Sequence, residues 1–148
     1  MRVFDPVLFI LRKKGPEVWS VSSDATVFTA MKLMADKDVG ALLVIDGEHL
    51  EGVISERDYA RKVILEGRSS KDTPVREIMS EPITITPDCS VDEAMRLITT
   101  NRTRHLPVVC DGKTAGVISI GDLVQWISFA QDQTIEQLEH YIEGKYPC

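Results

Sequence analysis

The 148-residue chain contains a copy of part of itself. Residues 19–59 align without a gap on residues 83–123, an offset of 64. Twelve of the 41 paired positions are identical: Asp24/Asp88, Val27/Val91, Ala30/Ala94, Met31/Met95, Leu33/Leu97, Leu42/Leu106, Val44/Val108, Gly52/Gly116, Val53/Val117, Ile54/Ile118, Ser55/Ser119 and Asp58/Asp122. Unrelated segments of average composition agree at roughly two or three positions over that length, so the match marks a duplication. A unit of about 60 residues buries only about 60% of its unfolded surface and is marginal alone. The two copies are therefore expected to pack on each other as one pseudo-twofold module.

Each copy carries the same local signals in the same order. In the second, Ile83–Thr86 is short and rich in β-branched residues, and Pro87-Asp88 ends it. Ser90, with Glu93 three residues later, predicts a helix N-cap, and Val91, Ala94, Met95 and Ile98 mark the buried face. Leu106–Cys110 and Ala115–Ser119 flank Asp111-Gly112 as a hairpin, and Asp122–Phe129 follows as a helix. The first copy repeats this with Thr26 as N-cap, Val27, Ala30, Met31 and Met34 as the face, and Asp46-Gly47 in the turn. The expected class is α/β (α+β), two β-α-β-β-α repeats.

A short helix with Pro74 at its first position is expected between the repeats. Another is expected before the first, with Asp5 as cap, Pro6 at the first position and Gly15 past the end. At the C-terminus, Ile135, Leu138 and Ile142 form an apolar stripe on a charged helix. The organisation is then residues 1–17, N-terminal helix and lead-in; 18–66, first repeat; 67–82, linker and short helix; 83–130, second repeat; and 131–148, amphipathic helix.

Composition excludes several classes. With 43% hydrophobic and 27% charged residues the chain is ordinary for a globular domain. Val7–Leu11, an uninterrupted apolar run that none in the chain exceeds, is far below the roughly 20 residues of a membrane span. It is also short for a secretory segment, so no membrane association and a cytoplasmic location are expected. A net charge of −6 argues against nucleic acid. Cys89, Cys110 and Cys148 form no C-x-x-C pair and no Cys/His cluster, which suggests separate thiols and no metal site. His49 and His140 sit apart, and no nucleophile elbow, H-E-x-x-H or P-loop is present, so no catalytic residue is assigned.

Two features could bind a ligand. Gly52-Val53-Ile54-Ser55-Glu56-Arg57-Asp58 and Gly116-Val117-Ile118-Ser119-Ile120-Gly121-Asp122 each run from strand through a hydroxyl into a helix with a carboxylate three residues on. The Asp could accept two hydrogen bonds from a vicinal diol such as ribose, or Ser and Asp could simply cap the helix. Arg102, Arg104 and His105 stand where the first copy has Asp38, Gly40 and Ala41, and either suit a phosphate group or form a solvated basic turn.

These segments, with Arg104-His105-Leu106-Pro107-Val108-Val109 and Ser55-Glu56-Arg57-Asp58-Tyr59-Ala60-Arg61-Lys62, resemble the tandem domains named for cystathionine β-synthase. Such a CBS pair, or Bateman module, is a nucleotide-binding regulatory unit. The resemblance covers residues from about 7 to 130 and is to bacterial stand-alone pairs, with no attached catalytic domain expected. It implies that adenosine ligands lie in clefts mixing residues of both repeats. One would combine Ser55, Arg57 and Asp58 with Ile83, Arg104 and His105; the other Ser119, Gly121 and Asp122 with Trp19, Gly40 and Ala41. Trp19 could stack on a base or pack under the N-terminal helix. The implied ligands are AMP, ADP, ATP or NAD(H), with S-adenosylmethionine also open, and the implied partners are a second copy of the chain, as a homodimer, and a regulated protein. The alternative is a protein-interaction module with vestigial clefts.

Overall fold

The computed structural model describes residues 4–15 and 17–132; the stripe Ile135, Leu138 and Ile142, together with His140, lies outside them. The chain divides into two compact units. The first-repeat unit is contiguous, Val18–Pro82, whereas the second-repeat unit joins the segment before Val18 to the chain from Ile83 onward. The class is α+β, with two sheets built on one plan.

In the first-repeat unit the order is β1 (Ser20–Val21), α2 (Val27–Lys37), β2 (Ala41–Asp46), β3 (His49–Ser55) and α3 (Glu56–Tyr59), preceded in the chain by α1 (Leu8–Lys14). A π-helical turn, Ala60–Ile64, continues α3, and a 3₁₀ turn, Val75–Glu77, closes the unit. β1 pairs parallel with β2, and β2 antiparallel with β3. The second-repeat unit has α4 (Val91–Asn101), the antiparallel pair β4 (His105–Cys110) and β5 (Lys113–Ser119), and α5 (Ile120–Asp132). Each hairpin carries a bulge at the same place, Val44/Ile45 and Val108/Val109.

The cap and face assignments hold. Thr26 Oγ1 accepts from the Thr29 amide and Ser90 Oγ from the Glu93 amide. Val27, Ala30 and Met34 are buried in one core, with Met31 packed against it. Val91, Ala94 and Ile98 are buried in the other, with Met95 packed against it. Both helices end on a left-handed non-glycine residue, Asp38 and Arg102. Arg102 thus terminates α4, where a cation suits the negative end of the helix dipole.

Five expectations shift. The Ile83–Thr86 strand reduces to a bridge between Ile85 and Val108, whose backbone neighbours supply its two hydrogen bonds. The first hairpin turns at Gly47-Glu48 rather than Asp46-Gly47, because glycine takes the positive φ of +65° while Asp46 still pairs with His49. Pro74 precedes its helical turn as N-cap. α1 begins at Leu8 with no side-chain cap, because Asp5 is engaged elsewhere: its carbonyl accepts from Val91 N and its carboxylate from Trp126 Nε1 at 3.0 Å. Gly15 does end α1, at φ +94°. Cys89 is a free thiol, but Cys110 is disulfide-bonded, since bridging depends on spatial proximity that sequence spacing does not report.

The lead-in segments explain how each unit closes. Val7 N donates to Cys89 O and Val91 N to Asp5 O; in the other unit, Val75 N donates to Ala25 O and Val27 N to Thr73 O. These lead-ins match at an offset of 68, since 73 − 5 and 75 − 7 both equal 68. Each one satisfies orphan amides at the start of a helix that would otherwise need solvent. The segment written before the first repeat therefore completes the second, and the linker completes the first. Val7, Leu8, Phe9 and Ile10 are all buried in the second-repeat core.

Asp46 anchors the loop after β1, accepting from Ser23 N at 2.9 Å, Ser23 Oγ at 2.6 Å and Ser22 Oγ at 3.1 Å. The Ser23 hydroxyl, then the Ser23 amide, holds its carboxyl below the ordinary carboxylate value. A lowered folded-state pKa contributes stability above the unfolded value and loses it as pH falls through the folded one. Asp46→Asn should therefore melt below the wild type at pH 7, and the difference should shrink as the pH falls below about 5. Thermal melts of both proteins from pH 7 to pH 3 check this; a constant difference would reject it.

Candidate functional site

Each repeated G-V-I-S-x-x-D segment turns from the last strand of its sheet into the following helix. In the first-repeat unit Ser55 Oγ accepts from Asp58 N at 3.2 Å, and Asp58 Oδ2 accepts from Ser55 N at 2.9 Å, a reciprocal capping box. In the second, Ser119 Oγ accepts from Asp122 N at 3.1 Å and Asp122 Oδ2 from Ser119 N at 2.9 Å. Both readings of the motif meet in this geometry. The cap orients each carboxylate, and its remaining lone pairs stay available for other donors. Their side chains are 14% and 17% exposed, buried enough to be ordered and open enough to be reached.

The residues before each middle strand lie beside these motifs. Gly40 O accepts from Glu56 N at 3.1 Å, and Ala41 pairs with Ser55; Arg104 O accepts from Ile120 N at 2.9 Å, and His105 pairs with Ser119. Arg104 is exposed and makes no ion pair with another described residue. His105 is half-buried at the start of β4. Ile83 packs against the second-repeat core. Arg57 is half-buried on α3, and its counterpart Gly121 is exposed on α5 with no close neighbour that would demand glycine. Trp19 packs against its own unit's core, with Lys37 Nζ 4.3 Å from the ring centroid. Its ring face therefore already carries a cation.

The glycine of each motif has a steric cause that periodicity did not disclose. A Cβ at Gly52 would stand 2.8 Å from Ser80 O and 2.9 Å from Met79 Sδ; one at Gly116 would stand 2.6 Å from Leu11 Cδ2. Met79 and Leu11 obey the lead-in offset, 79 − 11 = 68. The glycines let the lead-ins lie flat on β3 and β5. Val53 and Ser80 are bridged there by two backbone hydrogen bonds of 3.0 and 2.9 Å.

Two lysines absent from the expected site reach its carboxylates. Lys14 Nζ, from α1, is 2.9 Å from Asp122 Oδ2 and 2.9 Å from Val117 O. Lys62 Nζ, from the π turn, is 3.2 Å from Asp58 Oδ1 and 2.9 Å from Ile78 O. Lys62 was legible as an i, i+4 neighbour of Asp58. Lys14 lies 108 residues from its partner and carried no such signal. A hollow of about 230 Å³ lined by Ile10, Lys13, Lys14, Asp122, Gln125 and Trp126 opens beside this pair. A second hollow, about 470 Å³, holds Cys89, whose thiol is pushed up by burial and by Glu93 and Asp88. A thiol held protonated is a poor nucleophile. Among the described residues no group of three His, Cys, Asp or Glu could hold a metal, and no helix is long and apolar enough to cross a membrane.

A family model for the CBS domain matches residues 14–65 and again 75–129. The chain belongs to the CBS-domain family. It is 44% identical over 138 residues to a mitochondrial CBS domain-containing protein of Arabidopsis thaliana, covering 89% of this chain and 66% of that one, just under two thirds. A structure of a putative signal-transduction protein with CBS domains from Burkholderia ambifaria superposes with a TM-score of 0.79 at 48% identity, over 87% of this chain and 96% of that one. A CBS domain protein of Pyrobaculum aerophilum, solved in complex with AMP, matches with a TM-score of 0.73 at 27% identity, over 85% of this chain and 98% of that one. The CBS pair and its α+β fold thus stand as the sequence suggested.

The two glycine contacts differ in kind. At Gly52 the obstacle is backbone, which cannot move without breaking the Val53–Ser80 bridge; at Gly116 it is the end of a leucine side chain. Gly52→Ala should cost about 1–3 kcal/mol, the range for overpacking, and Gly116→Ala less. Urea unfolding of both variants measures this, and an equal or reversed order would contradict it.

Proposed function

We propose that this CBS pair is a regulatory sensor that binds an adenosine nucleotide without transforming it and signals occupancy through a change of shape or of dimer. Asp58 and Asp122, oriented by Ser55 and Ser119, take ribose hydroxyls. Arg104 and His105 take phosphate, with Arg57 supplying a second cation. Trp19 and Ile83 serve the base, and the neutral positions Gly40, Ala41 and Gly121 leave room without adding charge. The observation that carries this reading is the recurrence of one pre-oriented, largely buried but reachable carboxylate at the same turn of both units. The AMP complex of the Pyrobaculum relative supports the ligand class. AMP, ADP, ATP, NAD(H) and S-adenosylmethionine share that adenosine moiety. A cytoplasmic location and a regulated partner protein belong to the same proposal.

Affinity in a regulatory range, on the order of micromolar or about −8 kcal/mol, is expected. Arg104→Ala should weaken AMP by about 1.5–3 kcal/mol, the range for a hydrogen bond to a charged group, and leave adenosine nearly unaffected. AMP binding should also fall with added salt. Calorimetry with AMP and adenosine, together with mass spectrometry of any ligand released on denaturation, tests this. Nucleotide turnover abolished by Asp58→Asn or Asp122→Asn would make the protein an enzyme. Absence of any adenosine binding would favour the interaction-module alternative.

The homodimer is proposed on the same family pattern. Ile64, Leu65 and Val124 expose apolar surface that a second copy could cover. Light scattering should give twice the 16.6 kDa chain mass at micromolar concentration, and a monomer mass would reject the dimer.

A further inference from the structure

The two carboxylates share a position in the fold but not a state of occupancy. A carboxylate offers about four lone-pair sites, two on each oxygen. Around Asp58 both oxygens are engaged. Oδ2 accepts from Ser55 N at 2.9 Å and Ser55 Oγ at 3.1 Å; Oδ1 accepts from Ser80 Oγ at 3.2 Å and forms an ion pair with Lys62 Nζ, also at 3.2 Å. Around Asp122 only Oδ2 is engaged, by Ser119 N and Lys14 Nζ, both at 2.9 Å. Its Oδ1 accepts no hydrogen bond from a described residue.

The difference has a backbone cause. After Asp58 the helix widens into the π turn Ala60–Ile64, where Leu65 N donates to Ala60 O and Arg68 N to Val63 O, each five residues back. Lys62 is carried on that turn and also donates to Ile78 O at 2.9 Å and, at 3.5 Å, to Ser80 Oγ. Such π turns inside helices often accompany functional sites. α5 is α-helical throughout, and at the position matching Lys62, 62 + 64 = 126, it carries Trp126, whose indole donates to Asp5 instead. The second repeat therefore has no cation from its own following helix on its carboxylate and draws Lys14 from α1.

We propose that Lys62 is a specificity-determining residue that occupies the Asp58 carboxylate as an internal competitor for a vicinal diol. Asp122 presents a ready oxygen and takes a ribose directly. Asp58 takes one only by giving up Lys62 and Ser80. This rests on the assignment of the two carboxylates to ribose, and it adds an order of filling: the Asp122 site first, the Asp58 site second.

The test uses single-site proteins and two probes, adenosine and 2′-deoxyadenosine, by calorimetry. Asp58→Asn, which leaves the Asp122 site, should bind adenosine more tightly than Asp122→Asn, which leaves the Asp58 site. Adding Lys62→Met to Asp122→Asn should tighten adenosine by about two- to fivefold, the weight of a half-exposed ion pair on an equilibrium. The same change should leave 2′-deoxyadenosine within error, because the competitor displaces only the diol. Lys62→Gln, which keeps a donor without the charge, should fall between, and a thermal melt of each variant verifies folding. Unchanged or weaker adenosine binding on Lys62→Met, or tighter binding at Asp58 than at Asp122, would overturn the proposal while leaving the nucleotide reading intact. Failure of the wild type to bind adenosine at all would overturn both.

Discussion

The contact on which the rest of this structure depends is the seating of a lead-in segment on the last strand of each sheet, made possible by one missing Cβ. At Gly52 a Cβ would meet the Ser80 carbonyl and Met79 Sδ, and at Gly116 the Leu11 side chain, all under 3.0 Å, so a larger residue forces the lead-in to shift. Once the lead-in lies there, its backbone is in register to satisfy the first amides of α2 or α4, and its apolar side chains close the core. Packing and hydrogen bonding thus reinforce each other at one place.

That constraint also shapes the ligand chemistry. The seated lead-in delivers Ser80 to Asp58 and Lys14 to Asp122, so the groups that surround each carboxylate are set by what lies on the strand beside it. The Ser–Asp pair itself is local and identical in both repeats. Identity of motif therefore does not entail identity of electrostatic surroundings. The duplicated turn supplies a common scaffold, and the non-duplicated lysines differentiate it.

Much of this was legible in the chain because it is local. The N-caps Thr26 and Ser90, the helix faces and the hairpin order follow from spacing and residue type over a few positions, and the duplication tested every such signal twice. The shifted first hairpin follows from the local positive φ of Gly47, whereas other departures arise from partners distant in sequence. Asp5 resembles a cap but is held by Val91 and Trp126, so α1 starts later. The Ile83–Thr86 segment has strand composition, yet only Ile85 finds partners on β4. The π turn and the reach of Lys14 depend on tertiary packing, for which spacing provides no measure. The motif glycines were visible as a repeated pair, but the reason for them required seeing what lies above the strand.

The discontinuous second unit has a consequence for how the chain is made. Synthesis runs from the N-terminus at about 5–20 residues per second, so α1 emerges before either repeat. Its core partners on α4, β5 and α5 follow about 80–115 residues later, on the order of 4–25 s at that rate. The first-repeat unit lies wholly in between and can condense on its own contiguous sequence. During that interval the core that buries Val7, Leu8, Phe9 and Ile10 has not yet been made. The chain thus carries the buried face of α1 ahead of the first repeat until most of the second repeat has been made, so this face is covered only late in synthesis.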